Sequence, residues 1–128
     1  MFVKISEAEK NTYSINDLIK IAKNSPNIEK YGCLIYYDGI VRGNGVKELI
    51  VETNEKSEEL LIKAIEEIEE KYNVEINAIL HVGKLRVSDS IFMATVASKH
   101  RYEAFDAIKE LIDVVKNKIG LTKKEIYK

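Results

Sequence analysis

The sequence predicts an α+β domain in which helices pack on a mainly antiparallel sheet. Three observations carry that expectation: β-forming runs recur along the chain, two amphipathic stretches are long enough to lie across a sheet, and the order β-α-β-β-α-β-β-α groups the strands into adjacent pairs. With 128 residues, 45% hydrophobic and 32% charged, the whole chain, 1–128, is expected to form a single domain around one core. No repeat, low-complexity tract or linker interrupts it, and Pro26 is its only proline.

A short strand is expected near Phe2–Ile5. Ser14, with Asp17 three residues on, resembles a capping box and predicts a helix from Ile15 to Asn24, which Ser25-Pro26 ends. Tyr31–Val41 is dense in β-formers. Gly43-Asn44-Gly45 then offers residues that tolerate positive φ, predicting a hairpin into a strand over Val46–Thr53. Ser57 is expected to cap a helix running to Tyr72, with Leu60, Leu61, Ala64, Ile65 and Ile68 as its apolar stripe. Strands follow over Glu75–Val82 and Ser90–Ala97, with Gly83 and Ser88-Asp89-Ser90 at the bends. The last helix, Tyr102–Lys118, carries Phe105, Ile108, Leu111, Ile112, Val115 and Ile119 at helical spacing, and Gly120 stops it.

The net charge of −1 excludes a polycation for nucleic acid or membrane. Charge is nonetheless uneven. Glu48–Glu75 holds ten acids and three lysines, whereas Lys99–Lys128 holds eight Lys or Arg and five acids, so the C-terminal quarter is the part suited to an anion. The single Cys33 excludes an internal disulfide, fits a reducing compartment and reads as a structural thiol. No apolar run approaches 18 residues and no secretory signal opens the chain, so a soluble cytoplasmic protein is expected.

Two histidines, His81 and His100, and one cysteine supply no metal-ligand spacing, so no metal and no cofactor is expected. No glycine-rich phosphate loop stands at a strand-to-helix junction, and no G-x-S-x-G elbow is present. What remains is a set of cations. Arg42 follows a strand, His100 and Arg101 stand before the last helix, and Lys116, Lys123 and Lys124 lie at its end and beyond. Cations at a helix N-terminus oppose the helix dipole, which raises the question of an anion there. Strand ends at a common sheet edge would bring Arg42 and His100-Arg101 together. Arginine offers a planar fork for phosphate, and clustered lysines give up protons more easily. On spacing alone, these residues also fit separate surface cations with a capping histidine.

The segments Gly39-Ile-Val-Arg42, Val82-Gly-Lys-Leu85, Ser98-Lys-His-Arg-Tyr-Glu-Ala-Phe105, and Lys116 followed by Lys123-Lys-Glu125 resemble, in order and spacing, the large catalytic subunit of molybdopterin synthase. The resemblance runs from about Tyr31 to Glu125. It implies an α/β-hammerhead fold and a central homodimer with a small ubiquitin-like sulfur-carrier subunit at each end, a heterotetramer. It also implies a sulfurtransferase activity: the small subunit's C-terminal Gly-Gly thiocarboxylate delivers sulfur to cyclic pyranopterin monophosphate, giving molybdopterin for molybdenum cofactor biosynthesis. Carried over residue by residue, Lys116 and Lys123 would be catalytic, Lys116 as acid/base or nucleophilic amine and Lys123 as its electrostatic partner. Ile40, Val41, Arg42, His100, Arg101, Lys124 and Glu125 would bind substrate.

The sequence departs from that family at Gly120, where a proline is usual, at Thr122, where an aromatic residue is usual, and at His81, which replaces an arginine. Two other readings stand beside the enzyme. One is a non-catalytic relative acting as a dimeric anion-binding scaffold. The other is an unrelated module binding RNA through the C-terminal quarter, which the tyrosines do not support because they do not interleave with the basic residues.

Overall fold

Two largely apolar runs, Ile76–Val82 and Ile91–Ala97, form the centre of the sheet in the computed structural model, which describes residues 1–128. They belong to β4 (Glu75–Arg86) and β5 (Ser90–Ser98), and both are buried nearly throughout because helices cover the two faces. The other elements are β1 (Val3–Glu7), α1 (Ile15–Lys23), a 3₁₀ turn at Ile28–Lys30, β2 (Cys33–Ile40), β3 (Val46–Glu52), α2 (Ser57–Tyr72), α3 (Arg101–Asn117) and β6 (Thr122–Tyr127).

The strand order is β2-β5-β4-β3-β6, with β1 parallel to β4 and every other pairing antiparallel. β1 lies beside Ala78–Val82 and β3 beside Gly83–Arg86, so the edge of β4 that β5 leaves free is shared between two strands. Gly83, at φ +100°, stands where one partner gives way to the other. The strand thus continues through Gly83, where a bend ending it was expected.

α2 and α3 pack together on one face over a core that includes Leu61, Ile65, Leu80, Ile108 and Leu111. Each fully buried Leu or Ile there contributes about 2 kcal/mol. α1 covers the other face through Leu18, which meets Ile79 and Met93. Its capping box forms as expected: Ser14 Oγ accepts from Asp17 N at 3.3 Å, and the Asp17 carboxylate accepts from Ser14 N at 2.8 Å. His81 is a structural residue, 1% exposed. Its Nε2 lies 3.1 Å from Tyr13 N and its Nδ1 2.9 Å from Ser90 O. A backbone N–H can only donate and a carbonyl only accept, so the ring is the neutral Nδ1–H tautomer. No helix is long and apolar enough to cross a membrane.

Four further expectations are corrected. β2 and β3 do not form a hairpin. The turn itself forms, with Asn44 and Gly45 at φ 53° and 84° and Val46 N donating to Gly43 O. However, β2 is committed to β5 along its length, and Val41 is then tied to Asp89 and Ser88 in the β4–β5 turn, so the chain leaves the turn toward the far half of the sheet. Ser57 is the first residue of α2, not its cap; its hydroxyl accepts from Asn54 N at 3.0 Å and donates to Ile119 O at 2.5 Å. Phe105 is 57% exposed, outside the stripe assigned to it. Finally β6, hidden by its lysines, adds an unanticipated sixth strand. Cys33 is a free thiol, half-buried beside the main core.

Candidate active site

The chain after Ile119 cannot continue α3, because Gly120 takes φ +79°. At that residue a Cβ would overlap Asn54 Nδ2, while Ser57 holds the carbonyl of Ile119. The α3–β6 turn is therefore clamped to the β3–α2 loop. β6 then pairs with β3, placing Lys123 opposite Val51 and Glu125 opposite Leu49. Alternation along the strand sends 123 and 125 to one face and Lys124 to the other.

The result is a cavity of about 390 Å³ in which three cations from distant parts of the sequence meet: Arg42 after β2, Lys116 in the last turn of α3, and Lys123. Its wall is apolar and includes Phe92, Ile112, Val115 and Leu121. A second concavity, about 210 Å³, shares Ile40, Arg42, Ile91 and Lys123 with the first and adds Val41, Asn44 and Glu125. Together they form a groove that passes on both sides of the Arg42–Lys123 pair. A larger concavity of about 450 Å³ lies between α2 and α3, where Glu67, Glu110 and Asp113 face Lys63 and Lys118. Its mixed charges select for no one ligand, so the cation cavity is the candidate site.

None of the chain's three ion pairs involves Arg42, Lys116 or Lys123. Three like charges around one cavity raise each other's energy unless an anion enters. Burial pushes the Lys123 ammonium below its ordinary pKa, and the charges of Lys116 and Arg42 push it further in the same direction. The residue as a whole keeps solvent contact, so the depression is that of a group at a pocket's rim. The arrangement suits an anion at its cations and a flat apolar surface on its wall, and it holds an amine that loses its proton more readily than a surface lysine.

Of the residues singled out in the sequence, Ile40, Val41, Arg42, Lys116, Lys123 and Glu125 line this groove. Lys124 does not. His100 and Arg101 are also elsewhere, because β2 and β5 run antiparallel: Arg42 follows the end of β2 that pairs with the start of β5, whereas His100 follows the other end of β5. The sheet-edge argument that joined them fails for that reason. Arg101 opens α3 and Lys116 lies in its last turn, about 22 Å away along the axis. At the helix start, the Glu103 carboxylate accepts from His100 N at 3.2 Å, which answers part of the charge problem there with an acid from the chain itself. Arg101 lies against Tyr102, its Nη2 2.9 Å from the phenol oxygen. Sequence reasoning missed Tyr37, Ile91, Phe92, Ile112, Val115 and Leu121 as wall residues; the only local signal was that Tyr37 and Gly39 share a strand face two residues apart, just before Arg42.

The fold and the sequence have counterparts among known proteins. A molybdopterin synthase catalytic subunit from Pyrococcus abyssi is 29% identical, over 96% of this chain and 85% of its own length. The crystal structure of a molybdopterin synthase from Staphylococcus aureus superposes with a TM-score of 0.83 at 25% identity, covering 98% of this chain and 90% of that one. A chain from a Helicobacter pylori complex of subunits 1 and 2 of molybdopterin-converting factor shares the fold, with a TM-score of 0.75 at 21% identity over 98% of this chain and 88% of that one. The family model described as MoaE protein matches residues 8–118, and this chain belongs to that family.

Proposed function

We propose that this chain is the catalytic subunit of a molybdopterin synthase, a cytoplasmic sulfurtransferase of molybdenum cofactor biosynthesis. Its partner is a small sulfur-carrier subunit ending in Gly-Gly thiocarboxylate, and its substrate is cyclic pyranopterin monophosphate. The observation that carries this reading is the trio of unpaired cations around an apolar-walled cavity, in a chain of the MoaE family.

The reaction requires a polarised thiocarboxylate carbonyl, an opened cyclic phosphate and proton transfers. Arg42 matches the phosphate with its planar donor fork. Lys123, whose ammonium is pushed below its ordinary pKa, suits proton transfer, and Lys116 suits stabilisation of developing negative charge. That exchanges the two lysine roles expected from sequence. The groove beyond Arg42, with Ile40, Val41 and Glu125, leaves room for an extended peptide tail. Lys124, on the opposite face of β6, is left to outer contacts of the tail or carrier. His100 and Arg101 reach the substrate only from a second copy of the chain, so the working unit is a homodimer with one carrier at each end.

The test is reconstitution. The purified chain is mixed with thiocarboxylated carrier and cyclic pyranopterin monophosphate, and the oxidised mixture is assayed for the fluorescent molybdopterin derivative. Product supports the enzyme. Carrier binding without product favours a non-catalytic scaffold and overturns the assignment.

A further inference from the structure

Residues 37 and 39 point to the same face of β2, just before Arg42. A Cβ added at Gly39 would lie 2.9 Å from both Tyr37 Cε2 and the Tyr37 hydroxyl oxygen, and 3.2 Å from Cζ. The Tyr37 ring therefore lies along the strand, over the space that any other residue at 39 would fill. Its ring centroid is 6.4 Å from that of Phe92, at an interplanar angle of 46°, and both rings line the cavity that holds Arg42, Lys116 and Lys123. Packing explains the ring but not the oxygen, since phenylalanine would fill the same place. The hydroxyl takes no hydrogen bond within the chain. No buried side-chain polar atom lacks a partner, so this unpartnered oxygen reaches solvent, on a side chain that lines the cavity.

We propose that Tyr37 contacts the substrate: its hydroxyl hydrogen-bonds the polar rim of the flat heterocycle, while the three cations hold the anionic group, and Gly39 is glycine so that the ring can lie where it does. A neutral phenol adds little to an anion already facing three full charges. It adds more beside the apolar wall, where a heterocycle displaces water and its rim atoms need new partners. The inference rests on the functional reading above.

The decisive variant is Tyr37→Phe, which keeps the packing on Phe92 and over Gly39 and deletes only the oxygen. In the reconstituted assay we expect KM for cyclic pyranopterin monophosphate to rise about three- to tenfold. We also expect kcat within about twofold, an unchanged thermal midpoint, and unchanged inhibition by inorganic phosphate, the probe for the cation cluster. Gly39→Ala, which pushes the ring aside, should raise KM at least as much. An unchanged KM in Tyr37→Phe overturns the assignment. A parallel weakening of phosphate inhibition also overturns it, by moving the hydroxyl to the anion. If the wild-type chain itself does not turn over, the functional reading fails separately, and equal equilibrium affinity of the two chains for the pterin then removes the role of Tyr37 as well.

Discussion

Lys116, in the last turn of α3, and Lys123, on β6, face one cavity, and neither ammonium is paired with a carboxylate. Lys116 is exposed and outside the apolar stripe that packs α3, so replacing it leaves the core intact. Lys116→Ala is expected to lower turnover by about a hundredfold or more, the usual loss when a charge aimed at a developing oxyanion is removed. Stability should change by less than about 0.5 kcal/mol. Steady-state rates and a thermal melt on the same preparation check both halves. Activity within tenfold of wild type removes Lys116 from the mechanism.

The depressed pKa of Lys123 gives a pH dependence whose sign follows from the folded state. Below the depressed value, Lys123 is charged in both the folded and unfolded chain, and its repulsion from Lys116 and Arg42 is fully present. As pH rises from that value toward the ordinary lysine range, the folded chain loses the proton first and stability increases. A bound anion reverses the shift, so phosphate binding is expected to take up protons at alkaline pH. Calorimetry in two buffers of different ionisation enthalpy measures that uptake. Lys123→Met should abolish it and raise the melting temperature slightly near neutral pH.

Where residues close in sequence determined the outcome, the sequence was enough. The Ser14–Asp17 box and the Gly120 stop depend on neighbours within a few positions, and both formed. The pairing of strands was not legible in the same way. The Gly43–Gly45 turn has hairpin chemistry, yet β5 outcompetes β3 for β2 because it offers a long, continuously apolar partner. β6 escaped notice because its charges hide the alternation of a strand exposed on both faces. Resemblance named the cations, but only the topology shows that Arg42, Lys116 and Lys123 converge while His100 and Arg101 do not.

Gly120 couples backbone geometry to the position of Lys123. Gly120→Ala forces a Cβ into φ +79° and onto Asn54, with an expected loss of about 1–3 kcal/mol. Adding Asn54→Ala removes the steric part and leaves the backbone strain, so the double variant should recover some, but not all, of the loss. Denaturant unfolding of the four chains measures the coupling. Full recovery would mean that the conformation at 120 carries no strain of its own.

The separation of about 22 Å along α3 between Arg101 and Lys116 predicts complementation between two inactive chains. If Arg101 serves the partner's cavity, Lys116→Ala and Arg101→Ala homodimers each lack a complete site. A mixed dimer has both defects in one site and an intact other. Unfolding and refolding an equimolar mixture makes about half the dimers mixed, so about a quarter of all sites should be whole and the activity should return to about that fraction of wild type. The measurement is the rate of the refolded mixture against each variant refolded alone. If the mixture stays as inactive as its components, Arg101 and Lys116 do not meet across a dimer, and the assignment of His100 and Arg101 to substrate fails with it.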